Sequence, residues 1–349
     1  MKSVLKWVGA KHNIMASLKH VLPKGGRLIE PFGGSGAVMM NTNYPEYILA
    51  DINSDLIDTY QSIFKSPEKV LSELKRLYCL GRSEDAYYEL RSQFNNHDSA
   101  SDTQAALFIY LNRFGHRGLC RYNRKGIFNV PWGYYANPYL PETELYAMAE
   151  KMSSATLLCA SFQTTLSMAR PGDVVYCDPP YVNPGRFTAY HASGFTPAMQ
   201  IELTKLLQLL PERGVHVIAS CHDAPDIREL YQAFAIHGVT ARRSIFKGSG
   251  DGKKASEIFA VKLADNSKKG SCGMKRFHCS EKLHNPETEK FCQDIAEQYR
   301  TAPDIAVAQF KQVLSSKPLT YWECVVIRER VSDLIKINQA TAEGHDEPI

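Results

Sequence analysis

The feature that most constrains this chain is a pair of short apolar runs, GRLIE (26–30) and YILAD (47–51), that bracket the glycine-rich stretch PFGGSGAVMM (31–40). Each run ends in a carboxylate. An apolar run halted by proline and glycines reads as a strand, a tight turn and a helix start. The second run is then a second strand, followed by the helix-like INSDLIDTYQSIF. Strand, turn, helix and strand in that order make a βαβ unit and predict a parallel sheet. Three further β-like runs follow: VVYCDPPY (174–181), VHVIASCHD (215–223) and IFAVKL (258–263). Before the second of these lies TPAMQIELTKLLQLL, where Ile201, Leu206 and Leu209 recur at near-helical spacing and mark the expected buried face. Strands alternating with helices predict an α/β fold, with a mixed, mostly parallel sheet and helices on both faces.

Residues 55–150 break this rhythm. They are helix-rich, then rich in Gly, Asn and aromatics, and read as an inserted recognition domain between two parts of a catalytic domain, 1–54 and 151–264. Residues 265–283 read as a linker, small, polar and basic in its first part. Residues 284–349 read as a small helical extension: Asn285-Pro286 suits a helix start, Phe291, Ile295 and Tyr299 recur every four residues, and Ile327, Val331, Leu334 and Ile335 mark a later helix. Its expected role is contact with a protein partner, or a lid beside the substrate. Cys272, His278, Cys279 and His284 fall in spacings that match no standard zinc finger, so no metal is expected.

With 44% hydrophobic and 22% charged residues, the 349-residue chain is neither disordered, collagen-like nor coiled-coil. No apolar run approaches 18 residues, and the N-terminus lacks a signal-peptide core. Nine scattered cysteines suggest reduced thiols. A cytoplasmic location, in a bacterial or phage-infected cell, is expected. The net charge of +4 is unevenly spread. Residues 265–349 carry 12 basic against 13 acidic side chains, and residues 1–264 carry 29 against 24. Arg113, Arg117, Arg121, Arg124 and Lys125 lie within 13 residues that hold no acid, and Arg242, Arg243, Lys247, Lys253 and Lys254 form a second cluster. Two solvated loops, or a footprint for a polyanion, would each look like this.

EPFGGSGAV (30–38) lies at the carboxyl end of a strand, where ligands bind in open α/β sheets. Asp51, one strand later, sits where a carboxylate accepts hydrogen bonds from ribose hydroxyls. Neither a G-x-x-x-x-G-K-[ST] nor a full G-x-G-x-x-G is present, which disfavours an NTPase and a dinucleotide dehydrogenase. A tight turn that binds nothing would also use such glycines. Asp178-Pro179-Pro180-Tyr181 emerges from a strand end as well. A carboxylate, a stiff loop with free carbonyls and an aromatic ring together suit the grip of an exocyclic amine on a planar base.

These motifs together resemble the Dam-type (D12 class) site-specific DNA adenine-N6 methyltransferases. The resemblance extends to LKWVGAKHNI (5–14), ILADINSDLI (48–57), LNRFGHRGLCRYNRKGIFNVPWG (111–133), FTAYH (187–191), SCHD (220–223) and RRSI (242–245). It covers about residues 1–264. It implies a Rossmann-like methyltransferase fold, S-adenosyl-L-methionine as cofactor and double-stranded DNA as partner, with a methyl group passing to N6 of a flipped-out adenine within GATC or a related site. Trp7, Lys11, Glu30, Pro31, Phe32, Gly34, Gly36, Asp51 and Asp178 would form the cofactor pocket. Asp178, Pro179, Pro180 and Tyr181 would hold the adenine. Lys6 and Arg121 would read base edges, and Arg113, His116, Arg117, Asn123, Arg124, Tyr134, Arg242 and Arg243 would meet the DNA. His116-Arg117 and Tyr134 depart from the family's Tyr-Asn and Arg at these places, which bears on how strictly GATC is read. An N4-cytosine methyltransferase and a catalytically silent DNA-binding regulator on the same fold are the alternatives.

Overall fold

The computed structural model of the chain describes residues 1–180, 195–241 and 255–265. The chain divides into two units, Met1–Asn266 and Ser267–Ile349. The second unit, and with it nearly all of the expected linker, the helical extension and Cys272, His278, Cys279 and His284, lies outside the described residues.

The elements in chain order are α1 (Met15–Val21), β1 (Arg27–Glu30), β2 (Glu46–Asp51), α2 (Ser54–Lys65), α3 (Pro67–Leu80), α4 (Glu84–Asn96), α5 (Ser101–Phe114), α6 (Glu142–Met152), β3 (Ala155–Cys159), α7 (Phe162–Ser167), β4 (Asp173–Cys177), α8 (Pro197–Leu209), β5 (His216–His222), α9 (Pro225–Leu230), β6 (Ala235–Ala241) and β7 (Ala255–Lys262). The seven strands form one sheet in the order β3-β2-β1-β4-β5-β7-β6. The first five are mutually parallel, and β7 runs antiparallel to both β5 and β6. The strand order reverses between β1 and β4, which places a crevice at their carboxyl ends.

The strands are apolar throughout because both faces are covered. Leu28, Tyr47, Leu49, Val174, Tyr176 and Ile218 enter one buried cluster with α1, α2 and α6. Their neighbours Ile29, Ile48, Val175, Val217 and Ala219 enter a second, with α7, α8 and α9. This is the period-two alternation of a strand, with each phase claimed by a helical layer. Among the described residues no helix is long and apolar enough to cross a membrane.

Three details differ from the sequence reading. No α-helix connects β1 to β2. The connection is a short 3-10 turn at Met39–Asn41, closed by Thr42, whose hydroxyl donates to the Val38 carbonyl at 2.8 Å. Pro45 and the polar residues after Met40 leave too little chain for an α-helix. The face of α8 is also rotated from expectation. Ile201 and Leu209 are exposed, whereas Leu203 and Leu207 are fully buried with Leu210 beyond the helix end. Leucines occur on both sides of this helix, so spacing alone did not select the inner one. The range 55–150 shares its core with the sheet: α2 and α6 pack on the sheet face, and the same buried cluster runs on through α3, α4 and α5. Residues 105–114 of α5 are all buried, as expected of a helix packed on every side.

Candidate active site

The carboxyl ends of β1, β2 and β4 open into a cleft of about 300 Å³. Trp7, Lys11, Glu30, Pro31, Phe32, Gly34, Asp51, Asp178, Pro179 and Pro180 all line it. Gly36 does not. It turns the backbone behind the wall at φ +65°, where a Cβ would meet the Met148 methyl at 3.0 Å. Tyr181 lies outside the described residues.

The glycine turn is held from several sides. The Gly33 amide donates to the Ala50 carbonyl at 2.7 Å. The Gly34 amide donates to Asp51 Oδ2 at 3.0 Å, and the Tyr60 hydroxyl donates to the Gly34 carbonyl at 2.6 Å. Gly34 has φ +47°, and a Cβ there would lie 2.7 Å from the Trp7 indole nitrogen. Glycine is required on both counts, conformation and space. The other oxygen of Asp51 accepts the Asn53 amide at 3.0 Å, and Asn53 caps α2 through the Leu56 amide. Asp51 is thereby fixed against the turn and beside the cleft.

Glu30 is 3% exposed, and its Oε1 meets no hydrogen-bond partner. Burial pushes its carboxyl pKa up to about 8, against a backbone hydrogen bond from Met39. A buried carboxylate oxygen without a donor is costly. A cationic ligand carrying N–H or O–H groups would satisfy it. Phe32, Phe162 and Phe195 add an aromatic wall: Phe32 stacks on Phe162 at 5.7 Å and meets Phe195 edge-on at 5.8 Å. This cleft suits a ligand with a positive charge, hydroxyls and a flat ring.

Asp178 follows β4 directly. Its Oδ1 lies 3.0 Å from the Lys11 ammonium, which also lies 3.3 Å from Glu257 Oε2 on β7. Burial raises the Asp178 pKa to about 6, and Lys11 opposes the rise. Lys11 itself is 4% exposed. Sequence reading missed Glu257, and it missed Phe162, the first residue of α7, which follows β3, a strand without a strong apolar signal.

Beside this cleft stands a hairpin closed by the isolated bridges Gly115↔Trp132 and Tyr122↔Phe128. His116, Arg117, Arg121, Arg124 and Lys125 are exposed on it, and Tyr134 is 75% exposed. No carboxylate among the described residues pairs with its four basic side chains. Arg121 is held by Asn129, donating to its side-chain oxygen at 2.8 Å and its carbonyl at 3.0 Å. Two expected contacts turn inward. The Asn123 side chain accepts the Lys125 and Ile127 amides and so closes the hairpin turn. Arg113 is 7% exposed and donates to the Ser3 and Val4 carbonyls, because it sits at the buried end of α5. Lys6 is half-buried, its ammonium donating to the Arg113 carbonyl at 3.2 Å and lying over the Tyr135 ring at 4.3 Å. Arg242 and Arg243 lie outside the described residues.

Arg113→Ala is therefore expected to lower stability by about 3 kcal/mol, through the loss of charged hydrogen bonds and the orphaning of buried carbonyls. It should leave the salt dependence of any polyanion binding unchanged. Denaturant unfolding and a salt titration separate the two effects. A weaker salt slope in a fully stable variant would contradict this placement.

Asn112, which sequence reading passed over, ties hairpin to cleft. Its side chain accepts the Lys6 amide at 2.7 Å and donates to the carbonyls of Lys6 and Gly118 at 2.7 and 3.0 Å. The Tyr122 hydroxyl donates to Asp55 Oδ2 at 2.5 Å, joining the hairpin to the first turn of α2.

Comparison with known proteins accounts for this pairing of a cleft with a basic hairpin. Residues 7–245 match the model of the D12 class N6 adenine-specific DNA methyltransferases. The Escherichia coli protein described as retron Ec67 DNA adenine methylase is 49% identical over 262 residues, spanning 75% of this chain and 91% of that protein. The DNA adenine methylase of Escherichia coli strain K12 is 42% identical over 264 residues, 74% of this chain and 95% of that protein. A DNA adenine methylase of Vibrio cholerae is 40% identical over 265 residues, again 74% and 95%. By these matches the chain belongs to the D12 class of N6 adenine-specific DNA methyltransferases.

Proposed function

We propose that the chain transfers the methyl group of S-adenosylmethionine to N6 of an adenine turned out of duplex DNA, within GATC or a closely related site. The observation that carries this reading is the position of Asp178 and Pro179 at the end of β4, in one cleft with the clamped glycine turn, Glu30 and Asp51. When bound, S-adenosylmethionine would supply a methyl group on a sulfonium, which the amine takes as the C–S bond breaks, so that S-adenosylhomocysteine leaves and N6 gives up one proton. Glu30 meets its positive charge, Asp51 accepts its ribose hydroxyls, and Trp7 with the phenylalanines flanks its flat parts. N6 of a stacked adenine is out of reach, so the base leaves the helix. The Asp178 carboxylate and the Pro179 carbonyl then accept the two N6 hydrogens. That draws the nitrogen lone pair out of the ring system and aims it. Holding the two reactants together in one cleft would supply much of the rate.

The exposed Arg117, Arg121, Arg124 and Lys125 give the hairpin the charge that phosphates need. Arg121, kept in one rotamer by Asn129, suits guanine O6 and N7 in the major groove. Incubation with labelled S-adenosylmethionine and duplexes holding GATC, single-substituted variants of it and adenine-free controls tests the reading. Label is expected on adenine N6, with GATC preferred. Label on cytosine N4, or none at all, overturns it. Arg121→Ala is expected to cost GATC about 10-fold or more in kcat/KM, while substituted sites lose far less, since one bidentate contact discriminates by ~1–3 kcal/mol. Equal losses on every duplex would remove Arg121 from base reading.

A further inference from the structure

We propose that Glu257 is a positioning residue for methyl transfer: from β7 it shares the Lys11 ammonium with Asp178, and so holds the Asp178 carboxylate as a strong acceptor for the target amine. This rests on the reading of Asp178 given above. Three sequence-distant elements meet at one nitrogen. Lys11 comes from the N-terminal segment, Asp178 from the end of β4, and Glu257 from the antiparallel strand β7. Glu257 pairs in register with His222 on β5 and Val239 on β6, so strand pairing on both sides fixes its backbone. Its side chain is 13% exposed and that of Lys11 is 4% exposed.

The electrostatics assign the role. One buried ammonium faces two carboxylates at 3.0 and 3.3 Å. Were Lys11 paired with Asp178 alone, its full attraction would stabilise the Asp178 anion and weaken it as a base. The charge of Glu257 acts the other way and raises the proton affinity of Asp178. A more basic oxygen is the better hydrogen-bond acceptor, so Glu257 strengthens the grip on an N6 hydrogen. Glu30, Tyr176, Cys177 and Cys221 also feel the Asp178 charge, and Cys221 feels that of Glu257 as well; burial keeps the two thiols and the phenol in their neutral forms.

The test is the pH profile of methyl transfer by the full chain. With S-adenosylmethionine saturating, so that Glu30 faces the bound cofactor, wild-type kcat/KM for DNA is expected to fall on the acid side near pH 6, as Asp178 takes up a proton. Glu257→Gln removes the charge and keeps the shape. The acid limb is expected to move to lower pH by about half a unit or more. At pH 8 kcat falls about threefold, as half a unit of basicity allows, while KM for S-adenosylmethionine and for DNA stays within about 1.5-fold. Glu257→Ala should move the limb in the same direction, and Glu257→Asp, which keeps the charge, should leave it in place. Circular dichroism and a melting curve identify which variants fold, and any two folded ones decide. A merely structural role lowers activity at every pH and leaves the limb fixed, and that result overturns the proposal, as does a shift to higher pH. If the wild type puts no label on adenine, the reading of the site fails first. If it does and the limb ignores position 257, the role of Glu257 alone fails.

Discussion

Asp178→Ala is expected to lower kcat for methyl transfer by about 10³-fold or more, while the affinity for S-adenosylmethionine stays within about tenfold. The carboxylate stands at the end of β4, 3.0 Å from Lys11, where it accepts an N6 hydrogen of the flipped adenine. Alanine leaves the base in the cleft with one acceptor fewer and an unaimed lone pair. Glu30, Asp51 and Trp7, which face the cofactor in the proposed reading, are untouched. Stability should not fall. The Asp178 pKa is raised from 3.8 to about 6, so between those values the folded chain keeps a proton that the unfolded chain has released. Folding therefore weakens as pH rises through that window, and the ionised Asp178 is a cost to the fold at neutral pH. Methyl transfer from labelled donor, calorimetric titration with the cofactor and a melting curve read the three quantities. Turnover at the wild-type level would remove Asp178 from the chemistry.

Gly34→Ala is expected to weaken cofactor binding by about 100-fold, with a melting temperature only a few degrees lower. At φ +47° an L residue is strained by ~1 kcal/mol, and the new Cβ would lie 2.7 Å from the Trp7 indole nitrogen. The ring must swing away or the turn must open. Either movement disturbs the amide bond to Asp51 and the carbonyl bond to Tyr60. The neighbouring Gly33 and the sheet below hold the rest of the domain. Titration with S-adenosylmethionine, followed by tryptophan fluorescence, checks this outcome. Unchanged affinity would mean that the turn shapes the backbone without facing the ligand.

Much of the cleft was legible in the chain because its motifs are local. Pro31 and the glycines mark a strand end, Asp51 ends the next strand, and Asp178-Pro179-Pro180 halts a third, so each carboxylate announces the strand that carries it. The resemblance to the D12 class rested on these same short segments, and the family match covers them. The weaker elements were not legible. β3 (ATLLC) is an edge strand with no fully buried residue, and β6 contains His237 and Gly238, which interrupt any apolar run. The face of α8 was misread because leucines lie on two of its sides, and only packing into the buried cluster it shares with α7 and the sheet chooses between them.

The amino-acid sequence by itself determined the strand ends, the positive-φ glycine turn and the chemical groups delivered there, since these depend on residue type and on neighbours within a few positions. Tertiary structure decided which charges face outward. Arg113 and Asn123 belong to a basic, polar run, yet one is spent on the carbonyls of Ser3 and Val4 and the other on its own turn. It also decided which distant groups meet: Asn112 with Lys6, and Glu257 with Lys11 across 246 positions of chain. No local pattern encodes such pairs. They exist because β7 adds antiparallel to β5 and because α5 ends against the N-terminal segment, and burial there favours partners for these polar groups.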